Sequence, residues 1–374
     1  MDTSEVIYVR CVIIPRSRSF PMSLFTPLTI GALHLPNRII MAPLTRCRAT
    51  ADTRVPVPMM ADYYSQRATA GLIISEATVV DRMGVGYEAT PGIWSKEQVE
   101  GWKMVTKAVH DAGGCIVMQL WHVGRISDPS LLDGQRPISA SAIAANGHVS
   151  LLRPERPFPV PRAVETAEIA EIISAFRTGA VNAKAAGFDG VEIHGANGYL
   201  LDQFLQDSTN KRTDTYGGSL ENRARLLLEV TDAAIEVWGA DRVGVHLAPR
   251  CDSHDMGDSD RHATFTYVAR ELGKRMIAFI CSREARQEDS IGHYIREAFG
   301  GVYIVNENFT AEAAEQALID GVADAVAFGK SFIANPDLVA RFAAKAPLNT
   351  GDQTTFFGGG STGYIDYPVL PHTR

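Results

Sequence analysis

The sequence lacks the features that mark several common protein classes. It has five cysteines among 374 residues, namely Cys11, Cys47, Cys115, Cys251 and Cys281. The count is odd and no two stand at metal-ligand spacing, so they read as free thiols of a reducing, cytoplasmic compartment. No apolar stretch approaches the length of a membrane span. Positive charge is not in excess: 36 Lys and Arg stand against 43 Asp and Glu, a net charge of −7. That balance argues against nucleic acid or an anionic membrane as partner. No G-x-G-x-x-G follows the first apolar run, so the dinucleotide fingerprint of an open doubly wound sheet is missing. There is no internal repeat and no low-complexity tract. The acidic stretch from Asp252 to His262 lacks the spacing and closing glutamate of a calcium loop. It reads as a solvated loop with a helix cap near Asp260.

What the chain does contain is alternation. Eight short apolar runs recur: Ile39–Ala42, Leu72–Ser75, Ile116–Leu120, Val191–Ile193, Val243–Leu247, Ile277–Ile280, Val302–Val305 and Ala325–Phe328. Amphipathic segments such as Glu165–Ala186, Glu221–Trp238 and Ala311–Asp320 lie between them. Eight β units alternating with helices predict an α/β fold, a (β/α)8 TIM barrel, and α/β barrels of this length form one domain. The barrel is expected over residues 22–374. Residues 1–21 stand apart, with apolar residues and Arg10, Arg16 and Arg18. They lack a cleavage site after a sustained apolar core, and Asp2 and Glu5 count against a transit peptide. A loosely ordered extension is expected there. After the third run, Gly124 through Pro161 form a long loop rich in Pro, Gly and Ser. Such a loop in a compact domain serves as a lid or binding loop, and Arg153-Pro154 and Arg156-Pro157 should hold it extended.

In a barrel the carboxyl ends of the strands share one mouth, where the chemistry sits. The fourth run ends in His194-Gly195-Ala196-Asn197-Gly198-Tyr199. His194 and Asn197 can hold a carbonyl or carboxylate oxygen, and Tyr199 is a phenol able to give up a proton. In isolation the turn reads equally well as a helix cap with Tyr199 as packing. The other strand ends add Pro43, Leu44, Thr45, Ala77, Gln119, Trp121, His246, Asn306, Glu307, Asn308, Gly329 and Lys330. This set holds no carboxylate cluster for a metal-dependent hydrolase and no serine or cysteine beside a base. A glycine and a cation after strand eight match the phosphate site that barrels build there. Amides and hydroxyls on the early strands suit a flat heterocycle. Together they fit flavin mononucleotide.

Six motifs carry a family resemblance: Asn37–Arg46, Ile74–Thr78, Gln119–His122, His194–Leu200, Arg212–Arg223 and Ile333–Leu338. In this order they resemble the old yellow enzymes, in particular the FMN ene-reductases, from about Leu24 to Pro368. The resemblance implies non-covalent FMN, with NADPH or NADH as reductant sharing the substrate pocket. Thr45 would meet the flavin near its C4 carbonyl, Ala77 its ring and Gln119 its pyrimidine edge. Pro43, Leu44, Asn308, Gly329 and Lys330 would complete the cofactor site. His194 and Asn197 would hold the oxygen of an activated alkene (an enone, maleimide or nitroalkene), with Trp121 and Phe357 lining the pocket. Hydride would pass from the flavin to the β carbon, and Tyr199 would protonate the α carbon.

Three positions depart from the family's pattern. His246 stands where an arginine is usual beside the flavin N1–C2 edge, and imidazole carries charge only when protonated. Glu307 stands beside the phosphate site, where a carboxylate would repel, and is expected to turn away or pair with Lys330. Lys330 replaces an arginine fork by a point charge. A flavin-binding isomerase or redox-impaired family member is the alternative that His246 keeps open, and a cofactor-free barrel acting as an interaction module is a further one. An iron–sulfur dienoyl-CoA reductase would need a cysteine cluster that the sequence lacks. The protein is expected to be a monomer or homodimer.

Overall fold

The computed structural model describes residues 23–250, 253–285 and 287–371. The expected extension, residues 1–21, lies outside them. Eight parallel strands form the barrel: β1 (Ile39–Met41), β2 (Leu72–Ile74), β3 (Ile116–Trp121), β4 (Gly190–Gly195), β5 (Val243–Leu247), β6 (Phe279–Arg283), β7 (Val302–Asn306) and β8 (Ala325–Phe328). Each pairs with the next, and β8 pairs back onto β1 through Val326 and Ile39. The strands read as continuous apolar runs because both faces are covered.

The outer face packs on α1 (Pro58–Ser65), α2 (Lys96–Asp111), α3 (Ile169–Ala185), α4 (Leu200–Leu205), α5 (Leu220–Trp238), α6 (Arg261–Lys274), α7 (Gly292–Phe299), α8 (Ala311–Ile319), α9 (Lys330–Ala334) and α10 (Leu338–Ala344). The expected cap at the acidic loop is present: the Asp260 carboxylate accepts from Ala263 N at 2.9 Å and starts α6. The inner face holds Ile40, Leu72, Ile74, Val117, Phe279, Ile304 and Ala325. A hairpin of Leu28–Ile30 and Leu33–Leu35, not foreseen from the sequence, packs against this inner cluster. Gly244 makes room inside the barrel, since a Cβ there would meet the Phe279 ring at 2.2 Å.

Two expectations need correction. β6 begins two residues later than the apolar run and reaches Arg283, which pairs with Asn306 of β7. Its last residues are polar, so hydropathy ended the strand too early. The Arg153–Pro154 peptide in the long loop is cis. That loop has a small apolar core of its own, in which Leu131, Leu132, Ala145, Val149, Leu152 and Phe158 cluster with Trp121. Phe357 is half-exposed and does not line the mouth pocket. The cause is a clamp on the C-terminal segment. Arg46 donates to Phe356 O at 2.9 Å and to Gly363 O at 2.9 Å, and Arg48 donates to Thr355 O at 2.9 Å. Gly358 N donates to Arg46 O at 2.9 Å. These bonds fix the backbone course on either side of Phe357, while its side chain faces solvent.

Candidate functional site

The strand ends open into a cavity of about 370 Å3 lined by residues of β3 to β8 and the loops after β1 and β2. Every candidate site residue named from the sequence lines it except Phe357. Residues after β1 (Pro43, Leu44, Thr45) and after β2 (Ala77) form one wall. Asn308, Gly329, Lys330 and Ser331 gather at the ends of β7 and β8.

The turn after β4 is shaped by backbone conformation. Asn197 and Gly198 both adopt the left-handed region, with φ of 58° and 76°. Asparagine and glycine tolerate it best. At Gly198 a Cβ would also lie 2.8 Å from the Met256 side chain. Gly198 N donates to the buried Asp202 carboxylate at 2.9 Å. Burial pushes the Asp202 carboxyl up to about 7, against the hydrogen bonds from Gln206 and Gly198 that lower it. His254 donates from Nδ1 to Asn197 O at 2.8 Å.

Above this turn stands an aromatic wall. Trp121 stacks between Tyr87 and His194, with centroids 5.7 and 6.3 Å away. The Tyr199 ring stands nearly perpendicular to both Trp121 (4.9 Å, 84°) and His194 (5.1 Å, 83°). Its hydroxyl lies 3.1 Å from that of Tyr87. Burial pushes the Tyr87 phenol up to about 12, so it keeps its proton through the neutral range. His194 is held well below the ordinary histidine range, by burial first and then by His246 and Arg283. It is therefore a neutral imidazole near pH 7.

The floor is a buried polar cluster. Gln119 Nε2 donates to Glu192 Oε2 at 2.7 Å, and His246 Nδ1 lies 3.4 Å from the same carboxylate. His246 Nε2, His194 Nδ1 and Trp121 Nε1 are buried with no partner among the described residues. Buried polar atoms are seldom left unpaired in a native protein. The polar side chains that line the cavity, among them Thr45, Gln119, His194 and His246, fit a polar heterocycle that brings its own donors and acceptors, as the flavin ring does. Asn308, Gly329, Lys330 and Ser331 at the far end fit its phosphate.

Glu307 pairs with Arg283, not with Lys330. Arg283 is the residue that sequence reasoning missed. It lines the cavity and donates from Nη1 to Asn197 Oδ1 at 3.1 Å. Phe309 and Ser331 also line the cavity unforeseen. The alternation Phe279, Cys281, Arg283 along one strand was the available signal, hidden because the apolar run stops at Ile280.

A closed eight-stranded barrel with a polar-floored cavity at the strand ends, and a phosphate-suited corner after β7 and β8, defines the class of flavin-binding α/β-barrel oxidoreductases. Comparison with known proteins gives the family. Residues 23–349 match the model of the NADH:flavin oxidoreductase / NADH oxidase family. The chain is 46% identical over 356 residues to a probable flavin mononucleotide-dependent alkene reductase of Leishmania infantum, covering 92% of this chain and 96% of that protein. It is 44% identical over 359 residues to 12-oxophytodienoate reductase 1 of Oryza sativa subsp. japonica, covering 93% of each. Among solved structures it resembles morphinone reductase in complex with tetrahydroNAD, with TM-score 0.90, 48% identity and coverage of 94% and 99%. The old yellow enzyme homologue from Zymomonas mobilis gives TM-score 0.91, 45% identity and coverage of 93% and 100%. The chain belongs to the NADH:flavin oxidoreductase / NADH oxidase family, that of the old yellow enzymes. It is a flavin oxidoreductase that uses FMN and a nicotinamide reductant.

Proposed function

We propose that this enzyme is an ene-reductase that saturates the C=C bond of small activated alkenes such as enones, maleimides and nitroalkenes. FMN held at this site would supply the hydride chemistry that links NAD(P)H to the β carbon of the alkene. The protein's part is to hold, polarise and protonate. His194 and Asn197 donate hydrogen bonds to the carbonyl or nitro oxygen and draw electron density from the double bond. A neutral His194 can do this as a hydrogen-bond donor without giving up its proton. Tyr199 delivers the proton to the α carbon, and Trp121 forms the apolar wall beside it. Thr45, Ala77, Gln119 and His246 would hold the flavin ring, together with Pro43 and Leu44. Asn308, Gly329 and Lys330 hold its phosphate.

The observation that carries this reading is the convergence of His194, Asn197 and Tyr199 on the cavity whose floor is Gln119 and His246. Isotopic labelling tests it. With nicotinamide deuterated at the transferred position, label should appear at the β carbon of reduced 2-cyclohexenone. With deuterated solvent it should appear at the α carbon. Scrambled label at both carbons contradicts the assignment.

We also assign the enzyme to the cytoplasm, as a monomer or homodimer whose partners are small molecules rather than nucleic acid or membrane. Free thiols at Cys47, Cys115 and Cys281 support a reducing compartment, and the net charge of −7 disfavours nucleic acid and anionic membrane.

A further inference from the structure

Arg283 stands at the mouth between Glu307 and Asn197. Its Nε side faces the Glu307 carboxylate, and Nη1 donates to Asn197 Oδ1 at 3.1 Å. A guanidinium has donors only, so the atom of Asn197 that faces it must be the amide oxygen. That fixes the orientation of the whole amide. The Asn197 NH2 group then points away from Arg283, and it has no partner among the described residues. Asn197 also lines the cavity. The backbone beneath is fixed as well: Asn197 sits at φ 58° with its carbonyl bound by His254. With the backbone held in this way, the Arg283 contact sets the plane of the Asn197 amide.

We infer that Arg283 is a positioning residue for substrate polarisation: anchored by Glu307, it holds the Asn197 amide so that NH2 faces the oxygen of the substrate. The inference rests on the reading that His194 and Asn197 hold that oxygen. Without Arg283 the amide is free to turn its oxygen toward the substrate, where it repels developing negative charge. The Arg283 charge also reaches His194, and coupling to Asn197 separates the positioning effect from that field. Lysine is a poor replacement, because one ammonium cannot reproduce the planar fork that serves Glu307 and Asn197 together.

A double-mutant cycle on the FMN-loaded enzyme tests this, with the coloured anion 4-nitrophenolate as a non-reacting oxyanion probe. Arg283→Met should weaken phenolate binding roughly tenfold or more, the value of a hydrogen bond to a charged group. Asn197→Ala should weaken it similarly. In the Asn197→Ala background, Arg283→Met should cost about twofold or less, because the two residues act as one unit. Arg283→Lys, which keeps the charge, should also weaken binding and serves if the methionine variant does not fold. Equal weakening by Arg283→Met in both backgrounds would overturn the inference, since that is what a general field or a folding defect produces. Unchanged binding on loss of Arg283, with a clear loss for Asn197→Ala, would overturn this inference alone. Unchanged binding for Asn197→Ala would overturn the oxygen-holding role as well.

Discussion

At the scale of single residues, Tyr199 and His246 carry the sharpest expectations. The Tyr199 hydroxyl sits 3.1 Å from Tyr87 and its ring is wedged by Trp121 and His194. Removing the hydroxyl leaves that packing intact and takes away the proposed acid together with its hydrogen bond to Tyr87. Tyr199→Phe should therefore slow alkene reduction about 100-fold or more, the usual contribution of a general acid, and leave flavin reduction by NADPH nearly unchanged. Nitroalkenes, whose anionic products can take a proton from water, should suffer less. Stopped-flow measurement of each half-reaction separates these outcomes, and equal damage to both would give Tyr199 a different role. His246 faces the buried Glu192 carboxylate at 3.4 Å. A guanidinium carries a fixed charge and a fork of donors that an imidazole lacks. His246→Arg should therefore raise the midpoint potential of bound FMN, measured by anaerobic reduction against a reference dye. An unchanged potential would exclude residue 246 as the flavin's charge partner.

At the scale of elements, the turn between β4 and α4 depends on a buried acid. Asp202 accepts from Gly198 N and Gln206 Nε2, and burial raises its carboxyl from 3.8 to about 7. A raised carboxyl binds more protons in the folded than in the unfolded state between about pH 4 and 7, so its contribution to stability is lost as pH rises through that window. Asp202→Asn cannot ionise, and Gln206 can turn its amide to suit. The melting temperature of the variant relative to native should therefore improve from pH 5 to pH 8. A difference that stays constant across that range would mean that Asp202 does not titrate there. Elements of this kind were only partly legible in the sequence. The barrel strands were readable because both faces are apolar, as in Ile39–Met41 and Leu72–Ile74. The β6 end was not, because Arg283 belongs to the strand through its pairing with Asn306 rather than through its hydropathy. Glu307, expected to turn away or pair with Lys330, pairs with Arg283, a partner hidden for the same reason. The course of the C-terminal segment was also hidden. Arg46 meets Phe356 across some 310 residues of chain, and no local pattern announces such a bond. That is why Phe357 was expected in the pocket and lies outside it.

At the scale of the whole molecule, the barrel brings ends of distant strands to one cavity, and its closure fixes their mutual geometry. Thr45, Gln119, His194, His246 and Lys330 span nearly 300 positions of sequence yet line a single space. The central claim is that this space holds one FMN that shuttles hydride from nicotinamide to an alkene. An anaerobic absorbance titration tests it most directly. The purified protein should show a flavin spectrum, and the pigment released on denaturation should migrate as FMN, one per chain. NADPH or NADH should bleach the bound flavin in the absence of oxygen. Adding 2-cyclohexenone should then restore the oxidised spectrum in proportion to the enone added, with cyclohexanone as product. A protein that stays colourless with excess FMN, or a bleached flavin that the enone does not reoxidise, would contradict the account.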